Sequence, residues 1–90
     1  MENEEITKQI ELLAGLFFTI EEIAIHLNLN EPELRREIRG RTSPRAQAYW
    51  TGKLTQMIEL RKELVDYAKR GSNQADSIVN ELIKKQKLSE

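Results

Sequence analysis

The chain has no cysteine and a single histidine, His26. Disulfide staples and thiolate metal sites are therefore excluded, and one imidazole is too little for a zinc site, so neither a metal nor any other cofactor is expected. No apolar run approaches the roughly 20 residues needed to cross a bilayer. The acidic opening MENEEI also lacks the basic-then-apolar order of a signal peptide, so a cytoplasmic location and no membrane partner are expected. Catalytic groupings are missing too. There is no Cys/His pair, no Ser/His/Asp set beyond the lone His26 and no glycine-rich phosphate loop. The adjacent carboxylates Glu21 and Glu22 are explained by helix capping and the helix dipole. A non-enzymatic protein with no catalytic residue is the expectation.

Charge is abundant but segregated. Residues 1–34 set Lys8 against eight carboxylates, whereas residues 35–53 set Arg35, Arg36, Arg39, Arg41, Arg45 and Lys53 against Glu37 alone. The remainder is close to neutral, and the formal net charge of −1 hides this division. A local basic strip of this kind points to a polyanion, although charged runs on small helical proteins are commonly solvated faces.

Glycine and proline are scarce, four and two residues in 90, and both prolines and three of the four glycines fall where five expected helices start or stop, with no competing strand pattern. The first spans about 2–14, with Ile6, Ile10 and Leu13 on one face and Gly15 placed to take the left-handed terminating conformation. In the second, Thr19 is the N-cap, Glu22 completes a capping box and Phe18 is placed to staple onto Ile23. Ile20, Ile23, Ala24 and Leu27 form its buried face. Asn30 caps the third helix, with Pro32 in its first turn.

Only Asn28 and Leu29 remain between the second and third helices, a link that requires one residue with positive φ. Asparagine is the usual substitute for glycine there. With Leu34 and Ile38 facing inward, the segment HLNLNEPEL reads as a helix-turn-helix, the alternative being an ordinary αα-corner. The opposite face of the third helix carries Arg36 and Arg39, with Arg35 on its flank. Arginine forks suit guanine edges and phosphates, and Arg41 and Arg45 follow where flanking phosphates would lie. Arg35, Arg36, Arg39, Arg41, Arg45 and Lys53 are the candidate DNA-binding residues.

Ser43 and Pro44 open a fourth helix expected to reach Arg70, about 40 Å at 1.5 Å per residue, and Gly71 ends it. Its apolar stripe covers about half the circumference, more than one slender partner helix can cover. The fifth helix follows from Ser72 or Asn73, burying Ala75, Ile78, Val79, Leu82 and Ile83 and fraying in KKQKLSE. Tyr49 and Trp50 could pack on the helix-turn-helix, with the rest of the stripe meeting the fifth helix. A second subunit along the hairpin is the alternative that the excess surface favours. Trp50, Leu54, Met57, Leu60, Arg61 and Leu64 are the candidate oligomer interface. Arg61 needs a partner within that stripe, for which Asp76, Glu81 or a neighbouring chain are candidates. The expected architecture is therefore all-α, a helix-turn-helix core over residues 1–42 and an oligomerising helical hairpin over 43–90.

The order of parts resembles the small terminase subunits of tailed bacteriophages. The resemblance covers residues 16–86 and rests on FFTIEEIAIHLNLNEPELRREI, AYWTGK, LRKEL and YAKRGSNQA. Asn28 departs from it, standing where the turn usually carries glycine. The resemblance implies a ring-forming, non-enzymatic component of a genome-packaging motor acting in a bacterial host cell. Its implied partners are double-stranded DNA, further copies of itself and a large ATPase and nuclease subunit. A small dimeric helix-turn-helix transcription regulator is the alternative, and an assembly adaptor that never touches DNA is a third reading.

Overall fold

The computed structural model describes residues 2–89 and is all-α, with no strand among the described residues. Five helices follow one another: α1 (Glu2–Gly15), α2 (Ile20–Leu27), α3 (Glu31–Gly40), α4 (Pro44–Lys69) and α5 (Asn73–Ser89). None of them is long and apolar enough to cross a membrane. The described residues divide into two compact units, parted between Met57 and Ile58. The sequence had placed that division at residue 42. It falls later because Ala46, Ala48, Tyr49 and Gly52, in the first half of α4, are buried with the helices before them.

In the first unit Ile10 of α1, Ile23 and Ala24 of α2, Leu34 and Ile38 of α3 and Tyr49 of α4 share one core. Ile10, Ile23, Leu34 and Ile38 are almost completely enclosed, each contributing about 1.5–3 kcal/mol of burial. The turn that sets α2 against α3 has the expected chemistry. Asn28 holds φ 57° and ψ 46°, its N–H donates to the Ala24 and Ile25 carbonyls, and the Leu29 N–H donates to the Ala24 oxygen at 2.8 Å. Asn30 then caps α3 by accepting from the Glu33 N–H at 3.0 Å. At the start of α2 both halves of the Thr19–Glu22 capping box are present. Phe18, expected to lie over Ile23, keeps 43% of its surface exposed.

Gly15 serves a purpose other than the one expected. Gly15 is the last residue of α1, and the left-handed residue is Phe17, at φ 66°. Gly15 is instead spent on packing: a Cβ there would lie 3.2 Å from the Gly52 carbonyl oxygen. Gly52 is tighter still, since a Cβ would stand 2.0 Å from the Glu11 carbonyl oxygen. Backbone therefore meets backbone where α1 and α4 cross, an approach only glycine permits. Similarly, α3 ends through Arg41 at φ 61°, one residue beyond Gly40. Gly71 does take the expected positive φ, 97°, at the end of α4.

The second unit holds the last part of α4 and α5, joined by a turn in which the Ser72 N–H donates to the Tyr67 carbonyl and the Ser72 hydroxyl accepts from the Ala75 N–H. Ala75 is its one buried residue among those described, and Leu64, Ala68, Val79 and Leu82 are half-buried. Ile78 and Ile83, expected inside, are exposed, and α5 stays helical through KKQKLS to Ser89.

Candidate nucleic-acid interface

The exposed face of α3 is set by its buried one. Leu34 and Ile38 fix the inward direction, and at 100° per residue Arg36 points almost directly away, with Pro32 and Arg39 on one side of it and Glu33 on the other. Arg36 and Arg39 are exposed, and among the described residues neither has a carboxylate within ion-pair distance. Both guanidiniums are thus open to a ligand on the outward face of α3.

The other four candidates are not equivalent to these two. Arg35 is engaged by Glu31 one turn earlier on the same helix. Arg45, half-buried at the start of α4, has its Nη1 3.6 Å from Glu37 Oε2, an ion-pair distance rather than a hydrogen bond. That oxygen is itself enclosed without a hydrogen-bond partner. Both arginines carry an intramolecular counter-charge that a phosphate would have to displace. Glu33, Arg36, Glu37, Thr42, Ser43 and Arg45 line a shallow groove between α3 and the start of α4, so acids and bases are interleaved there.

Arg41 and Lys53 each lie against the Trp50 ring. The guanidinium carbon of Arg41 lies 4.8 Å from the indole centroid, and Lys53 Nζ lies 5.3 Å from that ring and 5.8 Å from Tyr49. The indole is itself held in place. Its Nε1–H donates to the Ile38 carbonyl at 3.1 Å, in the last turn of α3 where helix carbonyls lack intrahelical donors, and Tyr49 meets it edge-on at 5.3 Å. Trp50, a candidate for the oligomer interface, packs on the helix-turn-helix as the other account expects, its half-buried ring hydrogen-bonded to α3. Leu54, 49% exposed, lines a groove with Arg41, Gln47, Trp50 and Thr51, beside the basic strip. No signal within α4 alone marks this, because the tether to α3 joins residues twelve apart across a helix boundary.

Of the remaining interface candidates, Met57 and Leu64 are half-buried and Leu60 is 46% exposed. Arg61 is exposed and makes no ion pair among the described residues. Neither Asp76 nor Glu81 pairs with it: Asp76 accepts from Asn80, and Glu81 faces Lys84. Lying toward the edge of the helix face that carries Leu64 and Ala68, its head group reaches solvent and needs no counter-charge. His26 is exposed on α2, and the Glu22 carboxylate one turn before it is occupied by the capping box. No protein-family model, curated protein or solved structure matches the chain, so a functional reading must stand on the arrangement of its own side chains.

Proposed function

We propose that this protein is a non-enzymatic, self-associating DNA-recognition subunit in which α3 enters the major groove. The observation that carries the reading is the pair Arg36 and Arg39, exposed on the outward face of a helix-turn-helix and, among the described residues, without a carboxylate at ion-pair distance. Planar forks in that position suit guanine O6 and N7 or the flanking phosphates. Arg41 and Lys53 extend the positive strip beyond the end of α3. Self-association is supported by the second unit, which encloses almost nothing by itself while Ile58, Leu60, Val65 and Tyr67 remain exposed on α4.

Within that reading, the small terminase subunit of a tailed phage is the assignment we favour. It combines DNA recognition with ring formation and has a large motor subunit as its further partner, in the cytoplasm of a bacterial host. Stoichiometry separates it from a transcription regulator built on the same α3. A closed ring of several subunits supports packaging, whereas a two-fold dimer matched to paired half-sites supports regulation. The decisive experiment combines light scattering with duplex binding across a salt series. Loss of binding in an Arg36→Ala, Arg39→Ala double variant of unchanged helicity is expected. Wild-type affinity in that variant would remove α3 from the interface.

A further inference from the structure

The outward face of α3 carries an acid among its bases. Arg36 points away from the core, and Glu33 and Arg39 lie on either side of it, so a duplex that meets the two arginines also meets the carboxylate. Glu33 and Arg36 line the same shallow groove. Glu33 is exposed, and among the described residues its side chain has neither a hydrogen bond nor an ion pair. Its local alternative is unused. Glu22, at the same third position of α2, accepts from the Thr19 N–H at 2.9 Å and closes a capping box, whereas Glu33 leaves the Asn30 cap one-sided. Helix-dipole stabilisation does not single out the position either, since Glu31 already places an acid in that first turn.

Against phosphates, an unpaired carboxylate lowers affinity. On a helix lying in the major groove it has two base partners, because a carboxylate only accepts and the donors there are the cytosine N4 and adenine N6 amines. Adenine N6 stands beside N7, an acceptor that repels a carboxylate. Cytosine N4 has no ring acceptor on its own edge, and its paired guanine presents O6 and N7, the acceptors that an arginine fork takes up. Residues three apart on a helix have Cβ atoms about 5–6 Å from one another, so Glu33 and Arg36 can divide one C·G pair, or two adjacent pairs, between them.

We propose that Glu33 is a specificity-determining residue of α3 that accepts from the N4 amine of a cytosine, beside a guanine held by Arg36. The proposal rests on the DNA-binding reading and deepens it: the arginines supply affinity, and the carboxylate selects the sequence by penalising every site that offers it no donor.

The test uses the full chain and a pool of randomised duplexes at low salt. Wild type is expected to enrich sequences with a fixed cytosine. Replacing that C·G pair should weaken binding about fivefold to tenfold in fluorescence anisotropy, the low end for one base contact. Glu33→Ala is expected to lose this preference while binding unrelated duplexes more tightly, since a charge that repels phosphates is gone. Glu33→Gln is expected to move the preference towards adenine, whose N6 and N7 suit a carboxamide. Both variants should keep wild-type helicity, because the carboxylate holds no partner among the described residues. If Glu33→Ala raises affinity for all duplexes alike and keeps the wild-type base preferences, the carboxylate is a general repellent and the proposal is overturned. It is overturned too if adenine is the base whose preference Glu33→Ala removes, or if wild type binds duplex through Arg36 and Arg39 with no base preference. In each of these cases the DNA reading stands. If no duplex binds, the DNA reading falls and the proposal with it.

Discussion

Asn28 and Gly52 show how much of this molecule hangs on single backbone positions. Asn28 is left-handed, and its φ of 57° lets a link of only three residues, 28–30, join α2 to α3. Asn28→Gly is expected to be neutral or slightly stabilising. Asn28→Val should cost about 1–2 kcal/mol, because a β-branched side chain crowds the following carbonyl in that region. The urea midpoint measures both, and a valine variant as stable as wild type would mean that the turn lies elsewhere. Gly52 carries a different constraint. Its φ is ordinary, but a Cβ would stand 2.0 Å from backbone rather than from a side chain that could move aside. Gly52→Ala must therefore separate α1 from α4 and should cost at least about 1–3 kcal/mol, as overpacking does. Gly40→Ala supplies the contrast. With open space around it and a helical backbone, alanine there should stabilise by up to about 1 kcal/mol. Equal effects of the two alanine substitutions in the same urea titration would refute the close crossing.

At the level of the helix, α3 is a scaffold that presents charge unevenly. Each phosphate contact removed should lower the slope of log K against log salt by about 0.9 for duplex DNA. Arg35→Ala should change the slope less than Arg36→Ala or Arg39→Ala, since Arg35 spends part of its charge on Glu31. Equal slopes for the three variants in fluorescence anisotropy would show that the Arg35–Glu31 pair does not survive binding. These pairings also mark the limit of what the sequence discloses. The capping box at Thr19, the turn at Asn28 and the cap at Asn30 were legible because each is closed by residues within a few positions of one another. The role of Gly15 was not, because its reason lies across the molecule at Gly52, and the terminating conformation consequently passed to Phe17. Packing of Trp50 on the helix-turn-helix was legible as one option but its hydrogen bond to α3 was not, and the basic strip was legible as charge but not as a strip in which Arg35 and Arg45 hold carboxylates. Ile78 and Ile83 illustrate the same limit on α5. Helical spacing placed them on the apolar side, but only the narrower strip of Ala75, Val79 and Leu82 is covered.

On the scale of the whole chain, the balance of burial differs sharply between the two units. The first encloses a core drawn from four helices, while the second buries Ala75 and leaves Ile58, Leu60, Val65 and Tyr67 of α4 and Ile78 and Ile83 of α5 exposed. So few enclosed side chains fall short of the conformational entropy lost in ordering two helices. The proposed self-association would supply the missing stabilisation through contacts with other copies of the chain. Leu60 is the sharper probe of this, because it is 46% exposed whereas Leu64, one turn later on the same side of α4, is half-buried. Leu60→Asp should leave the isolated chain largely intact but place a charge in an apolar subunit contact, at a cost of several kcal/mol. Leu64→Asp should both dissociate the assembly and loosen the helix pair. Glu59 and Lys62, which face one another at 3.7 Å with most of their surface in solvent, should tolerate neutralisation, since an exposed pair contributes little. Light scattering at micromolar concentration reads the assembly and far-UV circular dichroism the helices. A wild-type protein that is a monodisperse monomer with full helicity would remove self-association, leaving the apolar flanks of α4 for a different partner.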